Sequence, residues 1–430
     1  MNQFVIKGGK PLVGSLKIKG AKNSFTKLMV ASLLTDEMVL LRNCPSTIEL
    51  TLTTELLRHV GSRVSDPKNG SLVVHSSRVN NYHVHELSRK NRIPILALAP
   101  LLHRLGQAEV PFVGGDAIGA RPVNFHLDIL RKMGARIRIK KNSYEARSRR
   151  LKGAAIALPF PSVGATETGI LAGVLADGRT VIKNAAQEPE IIDLISLLQK
   201  MGALIELDTN RVISIEGVKH LGGTEHRVIP DRLEAVSFAV LALATCGDIL
   251  VEDARQEHLI TFLNAVRRIG GEYQVEKNGI RFFRKGPLKP LSIETSPHPG
   301  FMTDWQQPFT VLLMKAHGIS RVHETVYEDR FGYIKDFVAM GANIHLTTRC
   351  FGAPCRFAKK GHLHSIEIHG PAKTHGSTII VRDIRAGLAH LVAALSARGT
   401  TTISGIEHID RGYERIDARL RRVGADIKRA

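Results

Sequence analysis

A chain of 430 residues exceeds the roughly 250 to 300 residues at which single hydrophobic cores stop growing, so at least two domains are expected. Apolar residues at 43% with aromatics at only 5% describe an aliphatic, globular α/β protein, and the longest apolar runs, 93–102 and 238–245, fall short of the ~20 residues that span a bilayer. A formal net charge of +20 and a pI near 10.0 favour anionic partners, while the four scattered cysteines are too sparse for a disulfide framework.

The opening Met1-Asn-Gln-Phe-Val-Ile-Lys-Gly-Gly lacks the charged and apolar regions of a signal peptide, so a cytoplasmic location is expected. Strand and helix signals then alternate. Leu16-Lys-Ile-Lys reads as a strand, 22–34 as a helix, 38–41 as a strand, 51–60 as a helix and 72–75 as a strand. The β-α-β-α-β-β pattern then begins again. Its punctuation is a phrase found six times: Leu57-Arg-His-Val-Gly61-Ser, Leu130-Arg-Lys-Met-Gly134-Ala, Leu198-Gln-Lys-Met-Gly202-Ala, Val266-Arg-Arg-Ile-Gly270-Gly, Phe337-Val-Ala-Met-Gly341-Ala and Leu420-Arg-Arg-Val-Gly424-Ala. Each glycine is expected to end a helix in the left-handed conformation, ahead of a strand such as Arg136-Ile-Arg-Ile.

The glycines lie 73, 68, 68, 71 and 83 residues apart. Such units are too long for solenoid repeats of roughly 20 to 50 residues, and six of them imply a closed, pseudo-symmetric assembly. The best boundary is Val228-Ile-Pro-Asp-Arg-Leu-Glu, with three repeat glycines on either side. An N-terminal three-unit domain over 22–230 and a C-terminal one over 231–430 are expected. Residues 1–21 would complete the second, because the chain would otherwise open with an unpartnered strand pair. A ligand would sit in a cleft between two such domains.

Four segments carry chemistry. Gly20-Ala-Lys22-Asn23-Ser24 places a lysine at a helix N-terminus, where free N–H groups and the dipole favour an anion. Gly114-Gly115-Asp116-Ala-Ile-Gly119-Ala-Arg121-Pro122 is a glycine-rich loop delivering an acid and a guanidinium, unless it is a salt-bridged turn. Pro161-Ser162-Val163-Gly164-Ala-Thr166-Glu167 is either a phosphate nest or an ordinary Ser N-cap. The series Thr303-Asp304-Trp305, Val326-Tyr-Glu-Asp329-Arg330, Arg382-Asp383-Ile-Arg385 and His408-Ile-Asp410-Arg411 recurs near one phase of successive repeats, as a rim of arginines for a small anion or as an internal ion-pair network. The segment 140–152 holds six basic residues and reads as a solvated hairpin, with nucleic acid as the alternative partner. Cys350 and Cys355 with His362 and His364 are metal-ligand types, but the Cys-x4-Cys spacing is loose and Phe351-Gly-Ala-Pro reads as a turn, so no metal is expected.

Taken together, Gly20-Ala-Lys-Asn, Ile118-Gly-Ala-Arg-Pro-Val, Ser162-Val-Gly-Ala-Thr-Glu, Glu188-Pro-Glu-Ile, Ile229-Pro-Asp-Arg-Leu-Glu, Phe301-Met-Thr-Asp, Glu324-Thr-Val-Tyr-Glu-Asp-Arg-Phe and His408-Ile-Asp-Arg-Gly-Tyr-Glu-Arg resemble the UDP-N-acetylglucosamine 1-carboxyvinyltransferase family of the EPSP synthase superfamily. The resemblance runs from Phe4 to Ile427 and implies a two-domain inverse α/β barrel of six βαβαββ-type subdomains, with the active site in the interdomain cleft. The implied reaction moves the enolpyruvyl group of phosphoenolpyruvate onto the sugar 3-hydroxyl by addition and elimination, the first committed step of peptidoglycan precursor synthesis. On that likeness Lys22, Arg121 and Arg411 hold phosphate, Arg330 and Arg385 hold carboxylate, and Asp304 and Asp116 handle protons. Asn23, Arg92, the run Arg121, Pro122, Val123, Asn124 and Phe125, the run Pro161, Ser162, Val163 and Gly164, and also Val326 and Asp383 complete the substrate site. The same likeness implies no metal or organic cofactor; a monomer or weak homo-oligomer is expected, and nucleic acid is disfavoured as a partner because the basic residues are spread over all six repeats and aromatics for stacking are few.

Three departures from the family pattern stand out. Asp116 stands where most relatives carry the cysteine that fosfomycin alkylates, Asn124-Phe125 replaces Asp-Leu, and Phe160 replaces a lysine. The last two leave open a different nucleotide acceptor, or a non-catalytic paralogue that binds a nucleotide sugar or nucleic acid.

Overall fold

The computed structural model describes residues 3–84, 92–114 and 122–430. Its described residues fall into two compact units, one formed by 20–114 and 122–229, the other by 3–19 and 230–430.

The second unit contains three four-stranded sheets of one design. In each, a leading strand lies parallel to the next strand of the repeat, which pairs antiparallel with the last, which in turn pairs antiparallel with the third. Ser292–Glu294, Gly318–His323, Ser365–Gly370 and Asn343–Thr347 follow that order. So do Val13–Lys17, Asp248–Glu252, Gly279–Phe283 and Glu272–Glu276. The third sheet uses Thr378–Ile380, Gly399–Ser404, Gln3–Gly8 and Asp426–Arg429, so that the chain's first strand pairs with its last two, with Phe4 opposite Ile403 and Ile6 opposite Ile427.

The other unit repeats the design in Ala155–Ala157, Arg179–Lys183, Val212–Glu216 and Leu204–Asp208, and in Thr224–Arg227, Met38–Arg42, Leu72–His75 and Arg63–Val64. Its third sheet is Gln107–Pro111, Ser143–Arg147 and Arg136–Ile139, with a parallel bridge from His83 to Glu109 where the leading strand would run. Six βαβαββ subdomains therefore build the chain, three in each unit.

Sheets lie outside and one helix of each repeat lies inside. In the second unit Arg232–Ala244, Gln306–Lys315 and Ile384–Ser396 pack against one another. Every residue of Arg232–Ala244 is buried: from Ala235 on its sequence is apolar but for Ser237, which leaves no face to give to water, and the charged Arg232 and Glu234 of its first turn are buried too. The other helix of a repeat, such as Ile260–Ile269, buries Phe262, Leu263, Ala265, Val266 and Ile269 on one side and turns Arg267 and Arg268 outward.

The recurrent glycines explain why one phrase marks every repeat. Gly61, Gly134, Gly202, Gly270, Gly341 and Gly424 all have φ between +91° and +104°. In each, the N–H one residue later reaches back to a carbonyl five positions earlier, from Ser62 to Leu57 at 2.9 Å and from Ala425 to Leu420 at 3.2 Å at the two ends of the series. This closure satisfies helix-end carbonyls and aims the chain into the next strand. Sequence and structure differ modestly in helix limits. The helix expected at 51–60 runs Ile48–His59, because Glu49 in its first turn suits the N-terminal dipole. The helix expected at 22–34 is Lys22–Ala31 followed by a tighter 3₁₀ turn, Ser32–Leu34.

The basic stretch 140–152 takes part in a hairpin, and three of its six charges are met locally: Lys140 contacts Glu109 at 2.8 Å, Arg147 contacts Glu145 at 2.8 Å, and Arg150 contacts Asp177 at 2.7 Å.

Two glycine substitutions separate backbone strain from crowding. A Cβ at Gly202 would meet nothing within 4 Å, so Gly202→Ala should cost only the left-handed penalty of about 1–2 kcal/mol in denaturant unfolding. A Cβ at Gly20 would lie 1.8 Å from the Asn43 carbonyl oxygen, so Gly20→Ala should be the far more damaging of the two, and equal losses would refute this account.

Candidate active site

In the second unit the site begins at Asp304, in a short 3₁₀ turn, Thr303–Trp305, that leads into the helix Gln306–Lys315. One of its carboxylate oxygens accepts from Arg330, and the other accepts from Arg385 Nε at 3.1 Å. Both arginines are buried, Arg330 at 4% and Arg385 at 7% exposure, so their charges are retained only because an anion faces them. Burial opposes the charged form of Arg385, yet Tyr413, Asp304 and Asp231 outweigh it and raise its pKa above the ordinary guanidinium value. Arg385 also donates to the Tyr413 hydroxyl at 2.8 Å. Arg411 stands two residues before that tyrosine, half-buried, directly after the helical turn Glu407–Asp410.

The segment carrying Val326 and Arg330 is folded by Glu324. That carboxylate is wholly buried and accepts from Thr303 Oγ1 at 2.8 Å and from the Val326 and Tyr327 N–H groups at 2.8 and 3.0 Å. Burial raises its pKa, and Arg330, Thr303 and the two N–H groups oppose that rise. Asp383 is the N-cap of Ile384–Ser396, with one oxygen accepting from the Arg385 and Ala386 N–H groups at 2.8 and 2.9 Å. It thereby fixes the helix start from which Arg385 projects. The Pro-Asp-Arg-Leu-Glu motif is likewise architectural: Asp231 caps Arg232–Ala244, Arg232 lies 5.6 Å over the Trp305 ring, and Glu234 holds Arg419 through two bonds of 2.7 Å.

The first unit holds the other candidates. Lys22 and Asn23 open the helix Lys22–Ala31, and Lys22 Nζ lies 3.9 Å from Glu49. Ser162 is the N-cap of Val163–Gly173, its hydroxyl accepting from Ala165 N–H at 3.4 Å, so the capping alternative holds for its side chain. Asn124 begins the helix Asn124–Lys132, with Val123 as its N-cap and Pro122 exposed just before it, and Phe125 packs on the core. This helix packs against Val163–Gly173. Pro161, Val163 and Gly164 are half-buried at that helix start, and a Cβ on Gly164 would lie 2.9 Å from the His126 ring. His126 was not singled out in the sequence. Burial first, then the positive charge of Arg92, lowers its pKa to about 3, so it is neutral, and its Nδ1 pairs with Thr168 at 2.7 Å. Arg92, His126 and Gly164 are thus neighbours, although 72 positions separate the outer two. Asp116 and Arg121 lie outside the described residues.

Three comparisons with known proteins place the chain. The family model for EPSP synthase (3-phosphoshikimate 1-carboxyvinyltransferase) matches residues 6–420. Curated proteins named UDP-N-acetylglucosamine 1-carboxyvinyltransferase from Protochlamydia amoebophila and Chlamydia muridarum are each 46% identical to the chain, the first over 99% of it and 94% of the relative, the second over 98% and 97%. The chain belongs to the UDP-N-acetylglucosamine 1-carboxyvinyltransferase branch of the EPSP synthase family. The fold agrees: the enolpyruvyl transferase NikO from Streptomyces tendae superposes with a TM-score of 0.87, covering 99% of this chain and 98% of that one at 23% identity.

Within this enolpyruvyl transferase family member, Glu167 closes the Ser-Val-Gly-Ala-Thr-Glu motif and is fully enclosed. Burial pushes its pKa from 4.5 up to about 7, with Lys27 opposing and Glu190 and Glu188 adding to the rise. The folded chain then binds this proton more tightly than the unfolded one, so its contribution to stability is complete below pH 4.5 and is lost as pH rises through about 7. At about 1.4 kcal/mol per pKa unit, Glu167→Gln should remove a loss of about 2.5 kcal/mol between pH 5 and pH 8. Thermal melts of both proteins across that range test this, and parallel pH profiles would refute it.

Proposed function

We propose that this chain transfers the enolpyruvyl group of phosphoenolpyruvate to the 3-hydroxyl of UDP-N-acetylglucosamine and releases phosphate, the first committed step of peptidoglycan precursor synthesis. The observation that carries this reading is the pair of buried guanidiniums on opposite oxygens of Asp304. It is supported by the names of relatives 46% identical across nearly the whole chain.

The reaction demands a proton at C3 of phosphoenolpyruvate, attack of the sugar hydroxyl on C2, and then loss of the C3 proton and of phosphate from the tetrahedral ketal. A strong anion clamp with an acid and a base suffices. Arg330 and Arg385 bind the carboxylate, their planar forks matching its two oxygens. Lys22, Arg121 and Arg411 bind the phosphate, Lys22 with the help of the helix N-terminus it occupies. Asp304 serves the attacking hydroxyl as base, or shuttles the C3 proton in the elimination, and Asp116 delivers a proton.

Asn23, Arg92, Pro122, Val123, Asn124, Phe125, Pro161, Ser162, Val163, Gly164 and Val326 line the nucleotide-sugar site. The half-buried surroundings of His126 suit a group that passes close to backbone at Gly164. Asp383 acts through the helix it caps. On this reading the enzyme works in the cytoplasm, with domains over 22–230 and over 1–21 with 231–430.

Phosphate release from phosphoenolpyruvate should depend on UDP-N-acetylglucosamine and should fall about 10²-fold or more in Asp116→Ala, in line with general acid–base catalysis. Absence of release with this acceptor, but release with another uridine nucleotide, would keep the chemistry and change the acceptor; no release with any acceptor would overturn the proposal. A carboxylate cannot form the thioether by which fosfomycin inactivates cysteine-bearing relatives, so activity should survive equimolar drug and Asp116→Cys should become sensitive.

A further inference from the structure

Two cysteines and two histidines from two separate parts of the second unit converge, and none of the four is assigned to the reaction. The strands Asn343–Thr347 and Ser365–Gly370 form the closing hairpin of their repeat, yet residues 348–364 lie between them. The corresponding connections elsewhere are 209–211, 277–278, 140–142 and 65–71. Long connections without secondary structure of their own are uncommon in compact domains and call for a local fastening. Cys350 and Cys355 sit in this excursion, His364 ends it, and His323 is the last residue of the neighbouring strand Gly318–His323. The ligand-type atoms of all four residues lie within 4.8 Å of one another.

The distances are those of a tetrahedral site. With zinc–sulfur bonds of about 2.3 Å and zinc–nitrogen bonds of about 2.0–2.1 Å, a tetrahedron has edges of about 3.8 Å between sulfurs and about 3.5 Å between sulfur and nitrogen. Cys350 Sγ lies 3.8 Å from Cys355 Sγ and 3.3 Å from His364 Nε2. The two sulfurs are free thiols rather than a disulfide.

Surrounding groups orient both histidines inward. His323 Nδ1 faces Glu294 Oε2 at 2.8 Å, and His364 Nδ1 faces the His362 carbonyl oxygen at 2.8 Å. Each acceptor holds the proton on Nδ1 and leaves the Nε2 lone pair directed at the sulfurs, an arrangement in which a carboxylate or carbonyl positions a metal-binding imidazole. His323 is 1% exposed, and its Nε2 is buried with no hydrogen-bond partner among the described residues. A buried ring nitrogen aimed at two thiols carries a cost that a cation would remove. The Phe357 N–H also points at Cys355 Sγ, 3.4 Å away, as a backbone donor to a thiolate would.

We propose that His323, Cys350, Cys355 and His364 bind one zinc ion that fastens the 348–364 excursion to the end of its sheet. Two sulfur and two imidazole ligands favour Zn²⁺ among available divalent ions, and a closed four-ligand set is that of a structural site, with no position left for substrate. Binding releases the two thiol protons. The spacing Cys-x4-Cys had argued against a metal, and the fourth ligand was missing from that reading: His323 lies 27 positions before Cys350, whereas the histidine nearest in sequence, His362, contributes only its carbonyl.

The test is elemental analysis of the intact chain purified without chelator, followed by cobalt substitution. About one zinc per chain and a tetrahedral cobalt spectrum with thiolate-to-metal charge transfer are expected. Both should be lost in Cys350→Ser/Cys355→Ser and kept in His362→Ala, and stripping the metal should speed amide exchange across 348–364. Should the double variant fail to fold, release of zinc from the wild-type chain on mercurial titration of its thiols decides the matter. A chain that retains no zinc and gives no cobalt spectrum, a double variant that keeps both, or a Cys350–Cys355 disulfide in place of metal would overturn the proposal.

Discussion

Compensation of buried positive charge is the constraint on which the second unit is built. Arg232, Arg330, Arg385 and Arg419 are all buried, and each would be untenable alone, since a guanidinium out of water must be met by an anion, a π face or both. Arg419 is met by Glu234, which also accepts from the Lys19 N–H, while Arg419 donates to the Lys17 carbonyl. A single ion pair therefore fixes the place where the chain leaves its second strand. Arg232 is set over Trp305, and Trp305 adjoins Asp304, the anion shared by Arg330 and Arg385. The four buried arginines thus answer to one requirement. Removing one member would leave its partner charged and buried, which costs about 3–5 kcal/mol, more than most of the chain's individual contacts supply.

This shared requirement explains which parts of the molecule could be read from the sequence. The repeat was legible because helix closure by Gly61, Gly134 and their counterparts depends on local backbone geometry, which the residue types state directly. The arginine and aspartate series was legible as one phase of that repeat, with a rim and an internal ion-pair network as its two readings, and Asp304 does pair with Arg330 and Arg385. Its internal wiring was not. Glu324 opens a motif that points to Val326 and Arg330, but nothing local shows that its carboxylate folds the segment by accepting three bonds. His126 carries no signal of its own in the sequence and Tyr413 is one member of a charged motif, and only burial beside Arg92 and Arg385 gives them meaning. Non-local strand pairing was equally hidden: Thr224–Arg227 is followed in sequence by one unit and pairs in the other, and Val13–Lys17 does the reverse.

Asp383 and Ser162 show how one residue satisfies two demands. Both cap helices, and capping alone accounts for an Asp or Ser there. Yet a helix start is also where backbone N–H groups face outward, and a cap that leaves the first turn accessible preserves that capacity. Site residues gathered at helix starts are therefore compatible with good local folding. The alternatives posed by the sequence, cap or ligand site, were never exclusive.

The hairpin excursion at 348–364 belongs to the same economy. Lengthening a surface connection costs little in closure entropy, about 0.6 kcal/mol per doubling, so one repeat can carry an insertion that the others lack. The expense lies in keeping it in register with its surroundings. Here the His364 carbonyl accepts from the Glu324 N–H at 2.8 Å, and Arg356 lies 4.0 Å from Glu328. The excursion therefore rests on the very segment that runs from Glu324 to Arg330. Whatever orders 348–364 also limits how far Glu324 can swing, and Glu324 sets the path along which Arg330 reaches Asp304. A fastening at the sheet end thus stiffens the approach to the arginine pair without touching it, as in an architecture where support and chemistry share backbone but not side chains.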